Sequence, residues 1–214
     1  MIKNLTGKPI VLGVAIIKNV DNLLNDRPFN RLEYLAKEYQ KKYKLIKIGN
    51  IAGVEFARML FKSIKIDPTK HRPSSEALLR RAIKNKSLPK INPAVDLGNW
   101  CSLDFLLPIC VYDADKIFGK ITLRLGLPNE SYLAINNREI NLENRFVLAD
   151  EKGAFGSPIT DSKRTMVTTQ TKNLMLVIYF HKDVDKKEME KMLSTFIQRT
   201  IEFLGGILKE KMII

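Results

Sequence analysis

Cysteine, histidine and tryptophan are scarce in this 214-residue chain, at two, two and one. Two cysteines, Cys101 and Cys110, cannot build a disulfide framework for a chain this size, so the sequence reads as a reduced, intracellular, cytoplasmic protein. Neither Cys-x-x-Cys nor His-x-x-x-His spacing occurs, so no metal site is expected. The glycine-rich phosphate loop before Lys-Ser/Thr is missing, as is Gly-x-Gly-x-x-Gly, and no cofactor is expected. No apolar run approaches the ~18 residues of a membrane helix. Ile10 to Ile17 follows Lys3 and Lys8, as the core of a secretory leader would. However, Lys18, Asn19 and Asp21 stand where small cleavage-site residues belong, so the run reads as a buried strand. Acidic residues are short as well: 23 Asp plus Glu face 36 Lys plus Arg, a net charge of +13.

What is present is enough apolar material for a core. Forty-five per cent of the chain is hydrophobic, which excludes a disordered tail. The positive charge argues for a polyanionic partner, nucleic acid before anionic membrane. Lysine (25) far exceeds arginine (11) and isoleucine (23) exceeds alanine (11), a bias that AT-rich codons also produce, so charge alone does not decide. Its distribution is more telling. Residues 1–70 are net +8 and residues 71–100 net +4, so nearly all the excess lies in the first hundred residues. A nucleic-acid backbone would be held there.

Apolar spacing predicts helices over Asn30–Ile46, Asn50–Ile66, Ser74–Lys84, Pro93–Phe105 and Asp185–Leu204. Asp67-Pro68 is expected to end the second, because proline disfavours a helical residue before it. Strands are expected at Val11–Ile17, Ile109–Tyr112, Lys120–Leu125, Phe146–Ala149 and Leu174–Phe180. Helices, then strands, then a helix, without βαβ alternation, means α+β, with helices on mixed or antiparallel sheets. No repeat or long linker divides residues 1–214, so a single domain is expected. Lys37, Lys41, Lys42 and Lys44 read as the solvated face of the first helix.

The chemistry is less explicit. Ser157 lies in Gly-x-x-Gly-Ser-Pro, not in a nucleophile elbow. His71 sits beside Arg72 near a helix start and reads as solvated. Cys110 lies in an apolar strand, where a buried structural thiol is the first expectation. Asn92, Asp96 and Asn99 are spaced to share one helix face, and Asp113 and Asp115 follow the next strand. By residue type alone they read as caps and turn residues.

Five segments, in order, carry a resemblance: RPSSEALLRR (72–81), NPAVDLGN (92–99), PICVYDADKI (108–117), GAFGSPITDSKR (153–164) and TTQTKN (168–173). Together they resemble the editing module of the phenylalanyl-tRNA synthetase β subunit, its fused third and fourth domains, and more closely the free-standing relatives of that module. The resemblance covers residues 66–183, leaving a basic α/β stretch (1–65) and a helical C-terminal stretch (184–214) packed on it. It implies an α+β fold and a site for the 3′ end of tRNA carrying a wrong amino acid, not a complete synthetase. In the synthetase the module removes tyrosine from phenylalanine tRNA. A hydrophobic synthetic pocket rejects an added hydroxyl only ~10²-fold, so a second site must remove the error.

The resemblance places Asn92, Asp96, Asn99, Cys110, Asp113, Gly153, Gly156, Ser157, Thr168 and Asn173 around the pocket. The backbone of 153–156 would serve as a donor loop. It implies tRNA or aminoacyl-tRNA as partner. The exposed basic face of Arg80, Arg81 and Lys84, with Lys86 and Lys90 following, reads either as a tRNA contact or as a solvated helix with Arg72 and Arg81 paired inside the fold. The family signature RPSSEALLRR favours a structural Arg72 and contact by Arg80 and Lys84. Two departures stand out. The Gly-Gly-Glu of bacterial synthetases is replaced by 153–158 without its glutamate, and the pocket histidine by Cys110. The resemblance therefore fixes fold better than activity. The function expected is trans-editing hydrolysis of mischarged aminoacyl-tRNA; the alternatives are a non-catalytic tRNA- or amino-acid-binding module, or a protein acting on a small acyl molecule.

Overall fold

The computed structural model describes residues 2–23 and 25–214. In chain order its elements are β1 (Ile2–Asn4), β2 (Ile10–Lys18), α1 (Arg27–Tyr43), α2 (Val54–Ser63), α3 (Ser74–Ile83), α4 (Pro93–Phe105), β3 (Ile109–Asp113), β4 (Ile121–Leu125), β5 (Ser131–Leu133), β6 (Glu139–Asn141), β7 (Phe146–Asp150), β8 (Gly153–Gly156), β9 (Leu174–His181), α5 (Lys186–Leu204) and β10 (Ile207–Ile213). The fold is α+β, as its composition of segments predicts.

The two most apolar runs become the middle of one sheet. β2 and β9 pair antiparallel, flanked by β10 and β3, in the order β10-β2-β9-β3. Every residue of β9 is buried, so this sheet is covered on both faces. One face packs on α4 and α5 through Leu176, Ile178, Phe180, Leu97, Leu193 and Phe196. The other packs on a second sheet, β1-β4-β7-β8, through Leu12, Val14, Val177 and Tyr179 against Leu123, Leu148 and Phe155. In that second sheet β1 runs parallel to β4 and the other pairs are antiparallel. A separate helical cluster joins α1, α2, α3 and α4 around Leu32, Val54, Leu79 and Leu103.

Local chemistry sets the boundaries. α4 begins as expected: Asn92 caps it by accepting from Val95 N at 3.1 Å, and Pro93 fills the first turn. Asp185 caps α5 by accepting from Lys187 N and Glu188 N, and Gly205 at φ +69° stops it. α2 is shorter than predicted. Gly53, at φ +96°, delays its start to Val54. It ends at Ser63, before Asp67-Pro68, because Lys65 turns left-handed at φ +60° and Ile66 N bonds back to Phe61 O. The short strands β1, β5, β6 and β8 carry little apolar periodicity. β10 was not expected either: past Gly206 the chain is strand, paired to β2.

Candidate functional site

A cavity of about 400 Å³ wraps the outer edge of β3. α4 supplies Val95, Gly98 and Asn99; β3 supplies Ile109, Cys110 and Val111; the segment after β8 supplies Ser157 and Ile159 to Asp161. Thr165 to Val167, the β5–β6 turn (Ile135, Asn136), Ser74 and Ile91 complete the wall. Gly98 makes this geometry possible, since a Cβ there would lie 2.7 Å from Val111 Cγ2. The wall is mostly apolar, with polar side chains contributed by α3, α4, the β5–β6 turn and the segment after β8.

Behind the wall lies a connected polar set that reaches the cavity through Cys110, Ser157, Thr160 and Asp161. Tyr112 donates its hydroxyl to Asp161 Oδ1 at 2.7 Å, and its oxygen lies 3.4 Å from the Tyr179 hydroxyl. The Cys110 thiol points at Ser157 O, 3.5 Å away, and Ser157 Oγ donates to Thr160 O at 2.8 Å. Tyr132 also donates to Thr160 O. Gly156 leaves room for this cluster, because a Cβ there would fall 2.0 Å from the Tyr112 hydroxyl. Asn99 makes no side-chain hydrogen bond among the described residues and faces the cavity.

Burial sorts the titrating groups. It pushes Asp161 up to about 6, against the hydrogen bonds of Tyr112, Cys110 and the Ser157 backbone, which favour the anion. Burial, with the charge of Asp161 second, holds the Cys110 thiol well above its usual value. The same two causes lead for Tyr112, while for Tyr179 burial is joined first by Cys110. At neutral pH the tyrosines are donors, the thiol is protonated and Asp161 is mostly ionised. Asp161 can therefore accept a proton near pH 7, and Cys110 is no nucleophile.

Of the residues expected around a pocket, Asn99, Cys110 and Ser157 line this cavity, with Gly156 directly behind it. The others do not line it, for identifiable reasons. Asn92 is spent as the α4 cap and is held by Asn22 and Val167 O. Asp96 turns back to accept from Ile91 N at 2.9 Å, and burial raises it to about 6. Asp113 accepts from Thr171 Oγ1 and pairs with Lys116. Asn173 donates to both oxygens of Asp115. Thr168 O accepts from Asn22, and its hydroxyl accepts from Gln170 N. Gly153 accepts from Arg164, and residues 153–156 form β8, paired to β7, rather than a donor loop.

The basic candidates divide similarly. Arg80 and Arg58 both bind the buried carboxylate of Glu76, at 3.0 and 2.7 Å. Burial opposes the charge on Glu76, but the two guanidiniums outweigh it and hold the group below its usual value. Arg81 donates to Ser87 O at 2.8 Å, and Lys90 pairs with Asp26. Lys84 and Lys86 are exposed and make no ion pair among the described residues. Arg72 is exposed rather than enclosed. Asp161, Tyr112 and Tyr179 were not singled out from the sequence. The available signal was the alternation Cys110, Tyr112 on one strand, which puts a thiol and a hydroxyl on the same face.

Among the described residues no three His, Cys, Asp or Glu side chains cluster as metal ligands, and no helix is long and apolar enough to cross a membrane. Comparison with known proteins agrees with the architecture. The B3/4 domain model matches residues 57–202. The phenylalanine–tRNA ligase β subunit of Mycoplasma pneumoniae is 34% identical over 119 residues, covering 54% of this chain and 15% of the ligase subunit. Those of Neisseria meningitidis serogroup A and Psychrobacter arcticus are 30% and 33% identical over 100 residues, each covering 46% of this chain and 13% and 12% of the subunit. The chain thus spans only a small part of these relatives. An N-terminal fragment of the phenylalanyl-tRNA synthetase β subunit from Pyrococcus horikoshii shares the fold, with a TM-score of 0.51 at 15% identity, covering 99% of this chain and 53% of that one. The helices, the doubly covered sheet and the family match converge on one assignment: this chain belongs to the B3/4 domain family, the module found within phenylalanyl-tRNA synthetase β subunits.

Proposed function

We propose that this chain hydrolyses the ester of mischarged aminoacyl-tRNA, acting in trans on tRNA charged elsewhere. One observation carries the reading: a largely apolar cavity large enough for an amino-acid side chain, with one carboxylate, Asp161, poised near neutral pH at its wall. Ester hydrolysis needs an oriented water, a base and donors for the oxyanion, and no side-chain nucleophile. Ionised Asp161 takes a proton from water as the water oxygen bonds the ester carbon. The bond to the ribose oxygen then breaks, and that oxygen takes the proton held by Asp161 and leaves as the hydroxyl, which restores the carboxylate. The free amide of Asn99 is the donor for the charge that develops on the carbonyl oxygen. Tyr112 holds Asp161 in place and is a positioning residue.

The test uses the full chain with tRNAs carrying tyrosine, phenylalanine and other amino acids, and follows release of the labelled amino acid. At least one charged tRNA is expected to be deacylated faster than in buffer, and Asp161→Asn to remove that acceleration with the fold intact. No release for any of them overturns hydrolysis. Saturable binding of tRNA or amino acid without release identifies a binding module instead. The protonated Cys110 thiol, in the place of the family's histidine, is the observation that favours that second reading.

A further inference from the structure

A second, smaller cavity of about 170 Å³ lies between α1 and the segment joining α3 to α4. Its wall contains Lys37 and Gln40 from α1 and Asn85, Lys86 and Ser87 from the connecting segment, with Glu33 at the same wall and Ala36, Ala82 and Leu88 beneath. Lys37 and Lys86 are exposed, and neither makes a side-chain ion pair or hydrogen bond among the described residues. The wall is held in shape by Arg81, which donates to Ser87 O, and by Lys86 N, which bonds Arg81 O at 2.9 Å. Two uncommitted ammoniums beside an amide pair and a hydroxyl are the side-chain set that binds phosphate oxygens and sugar.

The position of this groove gives it a meaning. Leu88 lines it, and Ile91 lines the large cavity. Only Pro89 and Lys90 separate them, so their Cα atoms, three steps apart, are at most ~11 Å from each other. One strand of chain thus links the two cavities. Lys84 continues the positive side of the groove, and Tyr34, exposed, stands one helical turn before Lys37 on α1. From this juxtaposition we infer that the groove between α1 and residues 85–88 binds the phosphate backbone of a single-stranded RNA 3′ end whose terminus enters the large cavity. The inference rests on the proposed hydrolysis for the identity of that terminus, not for the groove itself. Of the basic residues expected to touch RNA it keeps Lys86, drops Arg80 and Lys90, which are tied to Glu76 and Asp26, and adds Lys37.

The experiment measures binding of a fluorescein-labelled short single-stranded RNA ending in CCA, and of deacylated tRNA, across a salt series. Each phosphate contact contributes about 0.7 to the slope of log K against log salt for single strands. Lys37→Ala/Lys86→Ala is expected to weaken binding and flatten that slope by about 1.4, with an unchanged melting temperature. Lys37→Gln/Lys86→Gln repeats the result with the stems retained. Lys186→Ala/Lys187→Ala removes the same charge at the N-terminus of α5, about 25 Å along that helix from Phe203, where α5 meets Arg27 of α1, and is expected to leave the slope alone. Glu33→Gln is expected to tighten binding. An unmoved slope in the Lys37/Lys86 variants, equal flattening in both pairs, no RNA binding, or capture of phosphatidylserine vesicles in place of RNA overturns the inference. If no charged tRNA is deacylated yet the slope falls as expected, the groove stands and hydrolysis fails. If deacylation persists with an unmoved slope, hydrolysis stands and the groove fails.

Discussion

The two faces of the β10-β2-β9-β3 sheet are built from the same strands and do different things. Towards α4 and α5 the strands present Ile17, Ile109, Leu174, Leu176, Ile178 and Phe180, with no side-chain nitrogen or oxygen among them. Towards the second sheet the intervening positions present Cys110, Tyr112, Met175, Val177 and Tyr179. Period-two alternation separates the sets, so one strand serves both a dry core and a polar cluster. The polar atoms are gathered where β3 forms the sheet edge, and there they meet Asp161 from the segment after β8. The dry face supplies stability by burial. The other brings an ionisable carboxylate, Asp161, to the wall of the large cavity, and it does so at an electrostatic cost.

The difference can be tested by damaging each face in turn. Leu176→Ala, on the dry face, is expected to cost about 3–4 kcal/mol in urea unfolding, from lost transfer energy and the hole left behind. It should leave the pH dependence of any activity as it was; a shifted profile would mean the faces are coupled. Gly156→Ala, on the polar face, drives a Cβ into the buried Tyr112 ring end and is expected to cost about 2–3 kcal/mol. Gly98→Ala meets only a valine methyl at 2.7 Å and should cost less, about 1–2 kcal/mol.

Tyr112→Phe removes one hydrogen bond to a carboxylate, about 1.5 kcal/mol. Its larger effect is on titration. Asp161 is raised from 3.8 to about 6, so between about pH 4 and 6 the folded chain keeps a proton that the unfolded chain has released. The contribution of Asp161 to stability therefore falls as pH rises through that window, and Asp161→Asn should flatten the fall. Deacylation that uses the ionised form should rise with pH through about 6. Loss of the Tyr112 donor removes support for the anion, so the rise should move to higher pH. A profile unmoved by Tyr112→Phe would detach the tyrosine from the carboxylate. The smallest effect is expected from Cys110→Ala: a thiol kept protonated by burial supplies no nucleophile, so activity should stay within about tenfold, or ~1.4 kcal/mol of barrier. An acyl-thioester trapped on Cys110 would contradict this.

Legibility followed the range of the interactions involved. Pro93–Phe105, with its cap and proline, could be read to the residue because each signal lies within a turn of what it controls. The inner strands β2 and β9 could be read from their apolar runs, and the fold class from the order of elements. The family's five segments could be read because they lie along the chain in order. The site was less legible. The resemblance placed Asn92, Asp96, Asp113 and Asn173 around the pocket, although the first three read by residue type as caps and turn residues. In the fold each finds a near partner, because a buried amide or carboxylate must be satisfied by whatever donor packing brings beside it. Arg80 was expected to reach outward, and Glu76, four residues away and buried, holds it instead. Sequence by itself thus determined the helices, the more apolar strands β2, β3, β4, β7 and β9, the charge-rich first half and the family. The meeting of Tyr112 with Asp161, 49 residues apart, and of Lys37 with Lys86 was decided only by tertiary packing, since neither pair shares a turn, a helix face or a strand register.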